Sequence, residues 1–165
     1  MAACIFTALA LGIVATQLPR GEVRSDLLFV HKSFGVTIFA LLLLRAGFRI
    51  LAGAPAYRVP LGRLQDLGSK AAHFALYGLM LLMPLSGYVT SGAGGHPVPF
   101  FGLFALPNLV PRDWALAEKA SEAHFLFARI GVVIALHVAA VFRHAWVRRD
   151  EVMQRMWPGF PGRLV

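Results

Sequence analysis

Four long apolar runs alternate with short polar or breaker-rich segments along the chain. The first, AACIFTALALGIVATQL (Ala2 to Leu18), begins almost at the first residue. The second, from about Leu27 to Leu51, contains GVTIFALLLL, and the third, about Ala71 to Ser91, reads AAHFALYGLMLLMPLSGYVTS. The fourth is SEAHFLFARIGVVIALHVAAVFRHAW (Ser121 to Trp146). Each approaches the roughly 20 apolar residues that a spanning helix needs. The segments between them, LPRGEVRSD, AGAPAYRVPLGRLQD and GAGGHPVPFFGLFALPNLVPRDW, are rich in Pro, Gly and charge, and read as loops. No repeat of fixed period is visible. The pattern predicts an all-α integral membrane four-helix bundle, one domain over all 165 residues. The first run lacks a positively charged leader, and ATQLPR is a poor cleavage site, so it reads as an anchor rather than a signal peptide.

Composition agrees. The chain is 58% hydrophobic and only 15% charged, against roughly 25% charged in soluble proteins. Sixteen Lys and Arg face eight Asp and Glu, but the bases sit at the ends of apolar runs instead of on one polar element interleaved with aromatics. That is the membrane placement, and it argues against a nucleic-acid partner. A single cysteine, Cys4, excludes an internal disulfide framework. The loop between spans 2 and 3 carries Arg49, Arg58, Arg63 and Lys70 against Asp66, and the tail carries Arg148, Arg149, Arg155 and Arg163 against Asp150 and Glu151. The opposite side is nearly balanced. By the positive-inside rule, the 2–3 loop and both termini of this multi-pass protein are cytoplasmic.

Orientation gives each histidine a depth. His31, at the outer end of span 2, and His124, at the outer end of span 4, share one level near the periplasmic face. His137 is thirteen residues further along span 4, roughly 20 Å deeper at 1.5 Å per residue. His73 and His144 lie near the inner ends of spans 3 and 4, and His96 reads as a surface residue of the long outer loop. Ionisable groups inside spans point to function. Two imidazoles at matched depth on different helices suit axial ligation of a b-type haem. Gly35 lies one turn from His31 and Gly131 two turns from His124, with Gly78 five residues past His73, so small residues stand where a porphyrin would approach backbone. Zinc is the rival, but only Glu122 stands close as a carboxylate and no second cysteine exists. Arg45, fourteen residues after His31, points to nearly the same face and reads as a partner of a haem propionate, with snorkelling as the alternative.

These residues resemble the bacterial cytochrome b561 family. The resemblance is carried by VHKSFG opening span 2, Arg45 and Arg49 closing it, AHFALYGLMLLMPLSGY in span 3, and LHVAAVFRHAWVRRDEVMQRM at the end. It is closest to the family's superoxide oxidases, which pass electrons from superoxide to quinone. It implies a bundle holding two b haems, with His31 and His124 ligating the outer iron and His137 the inner one. The family's remaining inner ligand is a histidine at the start of span 1, usually followed by Trp. The first histidine here is His31, so the first span reads as truncated at its N-terminus and the chain as holding two haems or one. His73 is then an alternative inner ligand or a quinone-site residue. His144, beside Arg143, is expected to hold and protonate ubiquinone, and Lys32, Arg20 and Arg24 to steer an anion or to anchor the interface. His124 and His137 stand about 140° apart on an ideal helix, which either a π-bulge or two haems on different sides would accommodate. The expected function is electron transfer from a periplasmic one-electron donor, superoxide first, to membrane ubiquinone, within membrane lipid. The alternative is a di-haem subunit anchoring a periplasmic dehydrogenase or hydrogenase to the quinone pool, with the loop Pro97 to Pro111 docking that redox partner.

Overall fold

A computed structural model describes residues 1–52, 63–131, 139, 140 and 143. Its elements run α1 (Ala2–Gln17), α2 (Glu22–Ala52), α3 (Arg63–Ala93), β1 (Val98–Phe100), β2 (Phe104–Leu106) and α4 (Trp114–Ile130). Met1–Ala128 form one compact unit. A second unit begins at Arg129; of its described residues, 129, 130, 139, 140 and 143 are helical and Gly131 is a turn. α1, α2 and α3 cover the first three predicted runs and α4 the start of the fourth, most of whose remainder past Gly131 lies outside the described residues; α2, α3 and α4 start earlier in the chain than the apolar runs do. The first turns of α2 and α3 are polar, as expected where a helix continues past the hydrocarbon core into the headgroup region.

α2 has 31 residues and α3 offers 28, both long and apolar enough to cross a membrane. At 1.5 Å per residue they reach about 42–46 Å, more than the roughly 30 Å hydrocarbon core. Little of their apolar surface is covered: only 17% and 11% of the most hydrophobic stretches of α2 and α3 are buried. Phe48, Leu51 and Phe74 point outward. Such an inverted distribution is what lipid, rather than water, stabilises.

α2 is the hub, with α1, α3 and β1 packed on it. On α1, Ala8 and Ala15 are buried, and Gly12 lies between them on the same face, a small-residue stripe that lets two backbones approach. Arg45 Nε donates to the Tyr77 hydroxyl at 3.1 Å, tying the C-terminal part of α2 to α3.

The segment that joins α3 to α4 is built from backbone bonds and a few side-chain ones. α3 stops in a Schellman motif: Gly95 N–H donates to Gly92 O (3.0 Å) and His96 N–H to Ser91 O (2.8 Å). Gly95 supplies the left-handed residue this motif needs, at φ +75°. The chain then forms a two-stranded antiparallel hairpin pairing Val98 with Leu106 and Phe100 with Phe104. Its turn has positive φ at both Phe101 (47°) and Gly102 (78°) and a Leu103 N–H to Phe100 O bond of 2.9 Å, the primed geometry that suits strand twist. A bulky residue is strained at φ 47°. Ser33, fully buried on α2, holds it there: Phe101 N–H donates to Ser33 Oγ at 2.9 Å, and that hydroxyl faces Phe29 O and Pro99 O at 3.0 and 3.2 Å. The Phe101 ring packs edge-on against Phe34 with centroids 5.5 Å apart. Beyond the hairpin, the Tyr88 hydroxyl donates to Pro107 O (2.6 Å) and accepts from Leu109 N–H (2.9 Å). Asp113 Oδ1 caps α4 by accepting from Leu116 N–H at 3.1 Å. The sequence reading treated this whole region as loop, so the hairpin is an addition to it.

Candidate functional site: two facing imidazoles

His31 on α2 and His124 on α4 meet. Their ring centroids are 6.0 Å apart and their planes cross at 84°. Each ring is held through Nδ1 by the backbone of another helix. His31 Nδ1 lies 2.8 Å from Ala8 O on α1, and His124 Nδ1 lies 3.0 Å from Met83 O on α3. A helical carbonyl has a second lone pair after its own ladder bond. Whether an outside donor can reach that lone pair depends on the side chain one turn further on. In both cases that residue is glycine. A β-carbon on Gly12, four residues past Ala8, would stand 3.0 Å from His31 Cε1. One on Gly87, four past Met83, would stand 3.1 Å from His124 Cε1.

With Nδ1 bonded to a carbonyl, the proton resides there and the Nε2 lone pair is left for a metal. Two metal–imidazole bonds of about 2 Å, plus the ring radii, separate ring centres on opposite sides of one ion by roughly 6 Å. The observed spacing fits that arrangement. Two neutral imidazoles, with no group of three or more His, Cys, Asp or Glu gathered among the described residues, suit an iron whose other four positions a macrocycle fills. Room for such a plate exists: no β-carbon on Gly35 or Gly78 would meet anything within 4 Å. The residues present fit a haem.

The other expected residues fall as follows. Arg45 is hydrogen-bonded to Tyr77, one turn from the exposed His73 on α3. His137 and His144 lie outside the described residues. His96 is exposed, as expected, and borders an outer cleft of about 440 Å³ lined also by Arg20, Gly21, Arg24, Ser25 and Trp114. Lys32 departs from the company expected for it: its ammonium donates to Pro97 O at 3.2 Å, which secures the hairpin base. Sequence reading missed Gly12, Gly87, Ser86 and Tyr77. The available signal was the spacing of small residues in ALALG and MPLSG, read on the helices facing the histidines rather than on their own.

Residues 1–159 match the family described as prokaryotic cytochrome b561. A protein named cytochrome b561 homolog 2 from Escherichia coli K12 is 30% identical over 128 residues, covering 77% of this chain and 68% of that one. A probable superoxide oxidase CybB from Yersinia pestis is 28% identical over 131 residues, 78% and 73% of the two chains. Cytochrome b561 homolog 1 of Escherichia coli K12 is 25% identical over 129 residues, 78% and 73% of the two chains.

Proposed function

The chain belongs to the prokaryotic cytochrome b561 family of membrane cytochromes, and from that membership and the paired imidazoles we propose that it carries electrons from periplasmic superoxide to membrane ubiquinone. The observation that supports this most is the His31–His124 pair, 6.0 Å between centroids with each Nδ1 on a backbone carbonyl. Haem b, when bound, supplies a one-electron redox centre. His31 and His124 would hold it at the outer level through their Nε2 atoms. Ala8 O and Met83 O orient the two rings, and Gly12 and Gly87 leave the space those rings occupy. Surrounding apolar helices keep water from the ligand pair.

In this reading the helices form a four-helix bundle in the inner membrane with both termini in the cytoplasm. Each superoxide ion leaves as oxygen after giving up one electron; two electrons and two protons convert ubiquinone to ubiquinol. Arg20 and Arg24, at the mouth of the outer cleft beside His96, attract the anion. His137 is assigned as a ligand of the inner haem, Arg45, steadied by Tyr77, as the partner of a propionate, and His144 with Arg143 as the quinone end. His73 serves at that inner level, either as a ligand or beside the quinone.

The test is a reduced-minus-oxidised spectrum with a haem count per chain, followed by superoxide consumption in the presence of ubiquinone. His31→Ala and His124→Ala are expected to lose the outer haem. Retention of the full haem count in both variants would overturn the assignment. The near-perpendicular ring planes add a signature. A haem held by rings in these planes would give, in the ferric protein, a highly anisotropic low-spin resonance.

A second reading rests on the apolar hairpin region, where Leu103 and Leu109 are 76% and 79% exposed. There the protein is an electron-transfer subunit, and this surface docks a periplasmic dehydrogenase or hydrogenase. Superoxide turnover by the purified chain alone favours the first reading; reduction only in the presence of a co-purifying dehydrogenase or hydrogenase favours the second.

A further inference from the structure

The two imidazoles are held alike except in one respect. Among the described residues, His31 Nδ1 meets a single acceptor, Ala8 O. His124 Nδ1 meets two, Met83 O at 3.0 Å and Ser86 Oγ at 3.1 Å. We propose that Ser86 is a positioning residue that makes His124 the more electron-rich of the two ligands and so lowers the reduction potential of the outer haem. The proposal rests on the reading of His31 and His124 as axial ligands.

The hydroxyl's own proton decides its role. Helical Ser and Thr commonly back-bond to the carbonyl four residues earlier, as Ser33, Thr37 and Thr90 do here. Ser86 turns instead to the carbonyl three residues earlier, donating to Met83 O at 2.9 Å. With its proton committed there, Oγ presents only lone pairs to His124 Nδ1. The imidazole N–H is therefore shared between two oxygens that are themselves hydrogen-bonded, a closed triangle of Nδ1, Oγ and carbonyl oxygen. Such a triangle holds the proton on Nδ1 and fixes ring rotation. It also adds negative character to the imidazole, because a better-accepted N–H leaves more electron density on the ring. A more basic axial ligand favours ferric over ferrous iron. Nothing equivalent stands beside His31: the position matching Ser86, three residues past the accepting carbonyl, is Leu11.

The experiment is a redox titration of the outer haem in wild type, Ser86→Ala and Ser86→Thr, with electron paramagnetic resonance of each ferric form. Ser86→Ala should shift the potential upward, move the largest g value and speed haem loss by about 10-fold. Ser86→Thr, which keeps the hydroxyl, should restore all three. An unchanged potential and spectrum in Ser86→Ala would overturn the proposal while leaving the ligand pair intact. So would equal loss of haem from both variants, which would mean that residue 86 matters for space alone. Loss from the alanine variant only supports a role for the hydroxyl. His124→Ala in the same series separates the two levels, since a fully retained outer haem there would remove the ligand reading itself.

Discussion

α1 and α3 receive the two histidines in the same way from quite different sequences. α1 is 16 residues of small and aliphatic side chains with no proline. α3 is 31 residues long, carries Pro84 inside the helix, and brings a serine to the ring it receives. What they share is a carbonyl with glycine one turn later, Ala8 with Gly12 and Met83 with Gly87. The comparison teaches that each imidazole is oriented here first by backbone access, to which α3 adds the Ser86 hydroxyl. α1 does it by small size alone. α3 lacks one ladder bond at Pro84, whose missing N–H leaves Met80 O without that partner, and so has more freedom to yield.

The largest test of the comparison removes each ring. His31→Ala and His124→Ala should each abolish the outer haem, read as one haem fewer per chain, because a single remaining ligand does not hold a six-coordinate iron. Next come the two glycines. Gly12→Val and Gly87→Val should each reduce haem affinity by about 10–100-fold. Gly12→Val should be the more severe, since buried Ala8 and Ala15 hold α1 against α2 while α3 can shift at Pro84. Equal losses in haem titrations would break that distinction.

A smaller effect tests whether the same helix is also held from behind. Ser33→Ala leaves the Phe101 N–H without its partner and should cost about 1–3 kcal/mol, seen as a lowered melting temperature and faster amide exchange at residues 98–106. Smallest is Leu11→Ser, which gives α1 the hydroxyl that α3 already has. It should lower the outer haem potential, opposite in sign to Ser86→Ala.

Much of this was legible in the amino-acid order because the membrane makes hydrophobic runs informative. Run length predicts the helices, and the alternation of run ends brings His31 and His124 to one level, in keeping with their 6.0 Å centroid spacing. The acceptors were not legible, since every residue has a carbonyl and no letter marks the one that receives a ring. The glycines were sought on the histidines' own helices at Gly35, Gly78 and Gly131, whereas those that touch the rings are Gly12 and Gly87 on the facing helices. The hairpin was hidden for another reason. Its strands are three residues each, include Pro99, and turn on a phenylalanine where Asn, Asp or Gly is usual. Only the long-range bond to Ser33 makes that turn tenable.

Ser33 follows His31 by two positions, about 200° around α2. One turn of this helix is therefore pinned on nearly opposite sides, by α1 through the imidazole and by the hairpin through the hydroxyl. A rod pinned twice at one level can neither spin nor slide there. The remaining degrees of freedom of the His31 ring are few before any iron arrives, so an incoming macrocycle meets a ligand already aimed and loses little entropy in ordering it.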